Sequence, residues 1–245
     1  MLKPLALALA FAATPALAFD IDAMSEDERQ AFRAEIRAYL LDNPEVLMEA
    51  IGVLESREAQ AQAATDAELV AQNAEALFED EASWVGGNPE GDVTVVEFLD
   101  YRCGYCRRAF PEVAELVESD GNIRFVVKEF PILGEASVLA SRFAIATQRV
   151  AGDEAYEAVH DALMTSRGDV TEASLEALAE DQGLDWARIS EEMTSPEVAA
   201  RIDETRRLGA GLGIQGTPSF VIGDQLVRGY VPLDRMRALV EDERG

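Results

Sequence analysis

This 245-residue sequence predicts an α/β fold with an inserted helical domain, preceded by an N-terminal helical extension. Three observations carry that expectation. From Ser25 to about Trp84 apolar residues recur at three- and four-residue spacings, the period of a helix. Val93–Leu99 and Ile123–Phe130 then read as strands, rich in β-branched and aromatic residues, with a helical stretch between them. The pattern turns helical again from Glu135 to Leu208 before returning to a strand pair at 219–228.

The elements follow in order. Lys3, the apolar run Leu5 to Ala13, the breaker Pro15 and the small-x-small Ala16-Leu17-Ala18 spell a signal peptide, residues 1–18, cleaved after Ala18. Ile36, Tyr39, Leu40, Leu47, Ile51 and Leu54 lay a thin apolar stripe on the extension, and Asn43-Pro44 reads as a helix start with Asn as the N-cap. Eight of the 21 residues from Ser56 to Ala76 are Ala, and 53–85 holds neither Gly nor Pro. A continuous helix there would run roughly 50 Å at about 1.5 Å per residue. It is either a stalk that brings copies together or a helix folded onto the body. We assign 19–85 to a helical extension serving as an oligomerisation segment. The turn-rich linker Gly86-Gly87-Asn88-Pro89-Glu90-Gly91-Asp92 opens a second domain, 86–245. Within it a helical insertion occupies about 134–210. Gly223-Asp224 turns Pro218–Ile222 into a hairpin with Gln225–Arg228, and a last helix starts near Leu233.

Composition excludes several function classes. With 21 Lys+Arg against 47 Asp+Glu, the net charge is −26. No nucleic-acid partner is expected, because phosphate recognition needs basic surface. Two cysteines and one histidine, His160, are too few for a four-ligand Cys/His zinc centre within one chain. Nothing after residue 18 resembles a membrane span, so the mature protein is expected to be exported and soluble, its cysteines in an oxidising compartment.

The chemistry centres on Cys103-Gly104-Tyr105-Cys106. Two cysteines three apart, directly after a buried-type strand and opening a helix, form a thioredoxin-like redox motif. Cys103 falls at the helix amino terminus, where unpaired N–H groups and the helix dipole favour its thiolate. Cys106, one turn further in, can resolve a mixed disulfide. Arg102, Arg107 and Arg108 would assist an anion or merely occupy a solvated helix face. A purely structural disulfide and a Cu(I) or Zn(II) site shared between chains are the competing readings of the two cysteines.

With these residues in place, Glu97, Phe98 and the strand ahead of the cysteines resemble the DsbA family, a branch of the thioredoxin superfamily. The resemblance covers about 77–243. It implies a thioredoxin-like fold, a redox disulfide Cys103–Cys106, and Glu97 as a buried proton relay beneath the resolving cysteine. It also implies that Lys128 is the basic residue facing Glu97 from the neighbouring strand. Thr217-Pro218 matches the family's cis-proline loop, which would place the Thr217 backbone beside Cys103 to pair with substrate; Gly104, Tyr105, Thr217 and Pro218 are the expected substrate-binding residues. The Ile36–Leu54 segment also resembles the suppressor-of-copper-sensitivity C branch, whose members are periplasmic and self-associate through such extensions. Gly-Tyr between the cysteines, with Thr before the proline, is the isomerase and copper-sensitivity pattern rather than the oxidases' Pro-His.

The expected function is therefore a periplasmic thiol-disulfide oxidoreductase that forms or isomerises disulfides in exported proteins. It would use no cofactor and no metal. A membrane redox partner would reset the dithiol, and the protein would be a homo-oligomer, a trimer by resemblance. The alternatives are a copper-binding, copper-tolerance protein using the same cysteines and a redox-independent chaperone.

Overall fold

A computed structural model describes residues 23–245, so the expected signal peptide lies outside the described residues. The chain divides into two compact units between Glu58 and Ala59.

In the first unit, helix α1 (Glu26–Asp42) opens on a capping box, Ser25 Oγ accepting from Glu28 N–H while the Glu28 carboxylate accepts from Ser25 N–H. The sequence predicts Asn43 as the N-cap of the next helix, but its side chain does not cap that helix. Asn43 closes α1 instead, its backbone N–H and Nδ2 both donating to Tyr39 O at 2.9 Å. Helix α2 (Glu45–Gln72) starts just after Pro44. No residue of α1 is buried, and Ile36, Tyr39, Leu47, Met48, Ile51 and Leu54 are all exposed.

The second unit takes in the rest of α2, from Ala59. Here the Ala-rich segment folds onto the body. Val70 of α2 and Leu77 of α3 (Ala74–Phe78) are buried in a cluster with Val96, Phe98, Val126 and Val221. Asp66 accepts two hydrogen bonds from the Arg228 guanidinium, at 2.7 and 2.9 Å. The helical run does not reach residue 85; it breaks at Asn73, whose side chain turns back to Leu69 O.

Strand β1 (Val85–Gly87) already belongs to the sheet, so the turn-rich segment is part strand, part turn. Gly87 sits at φ +67°, and a Cβ there would collide with the Ile123 carbonyl oxygen. Then come β2 (Val93–Leu99), α4 (Gly104–Asp120) and β3 (Ile123–Glu129). Five helices follow: α5 (Glu135–Ala151), α6 (Asp153–Thr165), α7 (Glu172–Asp181), α8 (Trp186–Glu192) and α9 (Pro196–Gly211). The chain re-enters the sheet as β4 (Ser219–Ile222) and β5 (Gln225–Arg228), and ends in α10 (Leu233–Arg244). The strand order is β1-β3-β2-β4-β5, with β2 and β3 parallel and every other pair antiparallel. This is the thioredoxin-like α/β fold with its helical insertion.

The pleat divides β2 between two cores. Val95 and Leu99 pack with Val113 and Leu116 of α4 and with Phe143 and Tyr156 of the insertion. Val96 and Phe98 point the other way, onto Val70 and Leu77. Glu97 alternates with Val96 and Phe98 and so lies on the α4 side. In the parallel register Glu97 pairs with Val127 and Phe98 with Lys128. Lys128 therefore occupies the opposite face from Glu97.

Candidate active site

Cys103 is the N-cap residue of α4, in extended backbone conformation (φ −75°, ψ 118°). It reaches that position because the preceding loop is pinned. Asp100 is fully buried; its Oδ2 accepts from the N–H groups of Ile132 and Leu133, its Oδ1 from Arg102 N–H, and its carbonyl from Cys103 N–H. The loop after β3 and the loop carrying the cysteines are thus tied to one carboxylate. Both cysteines are free thiols, and Cys106 is completely buried.

The Thr217–Pro218 peptide is cis, and the Cys103 thiol donates to Thr217 O at 3.1 Å. As a thiolate, Cys103 has several donors at hand: the Cys106 thiol first, then the Thr217 hydroxyl and the N–H groups of Cys106 and Tyr105. Against the cost of burial they hold its pKa down at about 5. The Thr217 hydroxyl is buried without a partner while Cys103 is a thiol, so ionisation of the sulfur gives it one. Cys106 is pushed strongly upward by sharing its proton with Cys103, by burial, and by the neighbouring Glu97. The two sulfurs have opposite tendencies three residues apart.

The three arginines are engaged elsewhere. Arg102 lies 3.8 Å from Asp169, Arg107 Nε donates to Tyr101 O, and the Arg108 guanidinium stacks 4.4 Å over the Tyr230 ring. Tyr105 is well exposed beside Tyr230, with ring centroids 6.3 Å apart. Gly104 faces open space. Thr217 and Gly216 line a cleft of about 610 Å³ with Gly213, Gln215 and Gly229.

Glu97 is buried, and its Oε1 has no hydrogen-bond partner. Burial, with the charge of Cys103 adding to it, raises its pKa to about 8. The basic residue assigned to face it is elsewhere: Lys128 Nζ donates to Asp80 Oδ2 and to Ala76 O, each at 2.7 Å. The physical reason is strand parity, since Lys128 stands level with Phe98 and shares its face. Burial lowers the Lys128 pKa, and the Asp80 carboxylate works against that loss.

Sequence reasoning missed a buried polar cluster on the Glu97 face. Glu129 accepts from Tyr101 and Tyr156 hydroxyls at Oε1 and from Ser141 at Oε2, all at 2.7 Å. His160 Nδ1 lies 3.1 Å from the Tyr101 oxygen. Burial pushes the His160 pKa down to about 4. Being the lone histidine was its one signal in the sequence. Among the described residues no group of three or more His, Cys, Asp or Glu side chains is placed to hold a metal ion.

Residues 94–241 match the model of the DSBA-like thioredoxin domain. The chain belongs to that family. Residues 28–61 match the copper resistance protein ScsC N-terminal domain. A thioredoxin-like oxidoreductase from Silicibacter pomeroyi is 46% identical, with a TM-score of 0.66 over 69% of this chain and 96% of that one. Proteus mirabilis ScsC in a transitional conformation is 29% identical, with a TM-score of 0.66 over 91% of this chain and 98% of its own. Among curated relatives, the Na(+)/H(+) antiporter NhaA 1 of Salinispora arenicola is 34% identical over 157 residues. That match covers 64% of this chain and only 24% of the antiporter, so the chain spans about a quarter of that relative's length.

Proposed function

We propose that this DSBA-like protein is a periplasmic thiol-disulfide oxidoreductase that forms or isomerises disulfides in exported proteins. The observation that carries the proposal is the contrast between Cys103, held as a thiolate near neutral pH at a helix N-cap, and Cys106, held as a thiol beneath it. A thiolate is the attacking and leaving species of exchange, and a low-pKa thiol is also the better leaving group.

The Cys103 thiolate attacks one sulfur of a substrate disulfide. One S–S bond breaks, a mixed disulfide forms, and a substrate thiolate departs. In isomerisation that thiolate attacks another cystine of the same client. A thiolate so released then attacks the substrate sulfur of the mixed disulfide and returns Cys103 as thiolate, with no net electron change. In the resolving branch the Cys106 sulfur attacks Cys103, the redox disulfide Cys103–Cys106 closes, and the second substrate thiolate leaves. The Cys106 proton passes to Glu97. Run backwards from the disulfide form, the same steps oxidise a client dithiol, and a membrane redox partner restores the starting state.

Gly104, Tyr105, Thr217 and Pro218 form the substrate-binding edge. The open cleft at Gly216–Thr217 and the exposed Tyr105 ring support this assignment. Lys128 contributes to stability through Asp80 rather than to proton transfer. The exposed apolar residues of 23–58, in a segment matching an ScsC N-terminal domain, support self-association as a trimer. Several active sites around one client favour isomerisation over simple oxidation.

Refolding of a scrambled multi-disulfide protein by the full chain and by Cys103→Ser and Cys106→Ser variants tests the reading. Loss of rescue in Cys103→Ser, with mixed disulfides accumulating in Cys106→Ser, is expected. Undiminished rescue in both variants would leave a redox-independent chaperone as the better account. Copper binding that required both thiols while exchange was absent would overturn the oxidoreductase reading.

A further inference from the structure

Glu97 lies at the inner end of a cavity of about 470 Å³. Its inner wall is buried: Trp84, Val113, Phe125, Glu97 and His160. Its mouth is exposed, at Ala114, Glu118, Gly121, Glu157 and Asp161. Such a volume admits a file of water molecules at ~30 Å³ each. Two of the polar groups on that wall are Glu97, whose Oε1 is unpartnered, and the His160 ring.

The hydrogen-bond network fixes how that ring is protonated. The single Tyr101 hydroxyl proton goes to Glu129 Oε1, so the contact between Tyr101 and His160 requires Nδ1–H to donate to the Tyr101 oxygen. A neutral ring then carries its lone pair on Nε2. Trp84 and Tyr156 stack on the imidazole and Phe110 meets it edge-on, which fixes its plane.

We propose that His160 is a positioning residue for the resolving step, its Nε2 orienting cavity water through which Glu97 exchanges the Cys106 proton with solvent. This deepens the exchange chemistry proposed above and rests on it. Glu97, held neutral at rest by burial, first gives its own proton to a water hydrogen-bonded to His160 Nε2, and that proton leaves along the cavity to bulk solvent. As the Cys106 sulfur attacks Cys103 and the substrate thiolate leaves, the Cys106 proton takes its place on the Glu97 carboxylate; in the oxidising direction both moves run in reverse. No electron crosses His160. The role that Lys128 would have filled from the neighbouring strand falls to a ring on α6, because Lys128 points to the other face. The charged groups that share the water are Glu118 from α4 and Glu157 and Asp161 from α6, all at the mouth. Tyr101, Glu129 and Tyr156 lie behind the ring, and Glu129 is itself pushed towards its neutral form by burial.

The test reads the resolving step alone. The full chain is loaded at Cys103 with thionitrobenzoate as a mixed disulfide, and its coloured release on Cys106 attack is followed by stopped flow across pH, in light and heavy water. His160→Phe keeps the aromatic stack and removes both nitrogens. It should slow release about tenfold near neutral pH, less than the ~10²–10⁴ that a proton-transferring group itself supplies. The solvent isotope effect should rise, while the thiolate titration of Cys103 stays in place. His160→Gln, whose amide oxygen can replace Nε2 as acceptor, should recover most of the rate. Ala114→Leu narrows the mouth without touching His160 and should also slow release, so the proposal stays testable if His160→Phe misfolds. Wild-type rate, pH profile and isotope effect in His160→Phe, or in Ala114→Leu if that variant must decide, overturn the inference. A wild-type chain that never releases the chromophore would instead overturn the exchange chemistry beneath it.

Discussion

Removing either partner of the Lys128–Asp80 pair should give unequal losses of stability and leave the redox chemistry alone. The Lys128 side chain is only 2% exposed, whereas that of Asp80 is 34% exposed. Asp80→Ala strands a buried ammonium with the Ala76 carbonyl as its one remaining acceptor. Breaking a buried pair in this way costs about 3–5 kcal/mol. Lys128→Met leaves a partly solvated carboxylate that still accepts from Ser83 Oγ and Ala82 N–H. That loss is closer to one hydrogen bond to a charged group, about 1.5–3 kcal/mol, and the Met side chain offsets part of it by filling the site. In melting temperature the larger loss is roughly 6–20 °C for a chain of this size. The sign with pH follows from Asp80, whose carboxyl is held below its ordinary value chiefly by the Lys128 hydrogen bond acting against burial. Its contribution is complete above the unfolded carboxyl pKa of ~3.9 and fades as pH falls through the lower folded value. Urea unfolding at constant m-value, with thionitrobenzoate release measured on the same samples, checks both halves. Slowed release in Lys128→Met with wild-type stability would refute the argument and put the lysine back beside Glu97.

Glu97→Gln should slow the resolving step yet stabilise the fold. The raised pKa of about 8 means the folded chain holds a proton that the unfolded chain gives up. Stability is therefore lost as pH rises from ~4.5 towards 8, and the variant should gain on the order of 2–3 kcal/mol near pH 7 and nothing near pH 4 in denaturant titrations. Thr217→Val should raise the Cys103 pKa by about one to two units, one charge-assisted hydrogen bond being worth ~1.5–3 kcal/mol; thiolate absorbance against pH would read an unchanged value if the hydroxyl were idle. Deleting residues 19–58 should give a monomer that still oxidises model thiols and no longer rescues scrambled protein. A deletion to residue 80 would strip Val70, Leu77 and Asp80 from the body and unfold it, so sedimentation must be read on the shorter cut.

Strands, helices and hairpin were legible because their signals are local. Val93–Leu99 has the apolar run of a strand buried on both faces, and Gly223-Asp224 marks its turn without help from the rest of the chain. Cys103 was placed at a helix start by the strand ahead of it. Lys128 was not legible in the same way. Which face a strand residue takes relative to a neighbouring strand depends on register, and a shift of one residue exchanges the faces. Glu97 and Lys128 each sit in a plausible strand; only the pairing of Glu97 with Val127 separates them. The end of the extension was hidden for another reason. Leu69-Val70 and Leu77-Phe78 are the only large apolar residues between Ser56 and Phe78, two pairs that are too few to set a periodicity, and Asn73 breaks the helix between them by a local side-chain bond. His160 gave no sequence pattern because Tyr101, Trp84 and Phe110, which surround it with Tyr156 of its own helix, come from other elements.

The site also shows why a net charge of −26 coexists with a thiolate held at about 5. The acidic groups are spread over the surface, where solvent and salt damp their field within about 10 Å. The donors to Cys103 lie at hydrogen-bond range in a partly dry pocket, where each acts at low effective dielectric. Short-range dipoles therefore outweigh a larger but distant charge. Arg102, Arg107 and Arg108 direct guanidinium nitrogens or the guanidinium face to Asp169, the Tyr101 carbonyl and the Tyr230 ring. Cys106 meets the opposite balance. It is fully buried beside Glu97 and is itself the first donor to the Cys103 thiolate, so what lowers one cysteine raises the other. The division of labour between attacking and resolving thiol then follows from a single shared proton, and the remaining requirement is a route by which that proton can leave.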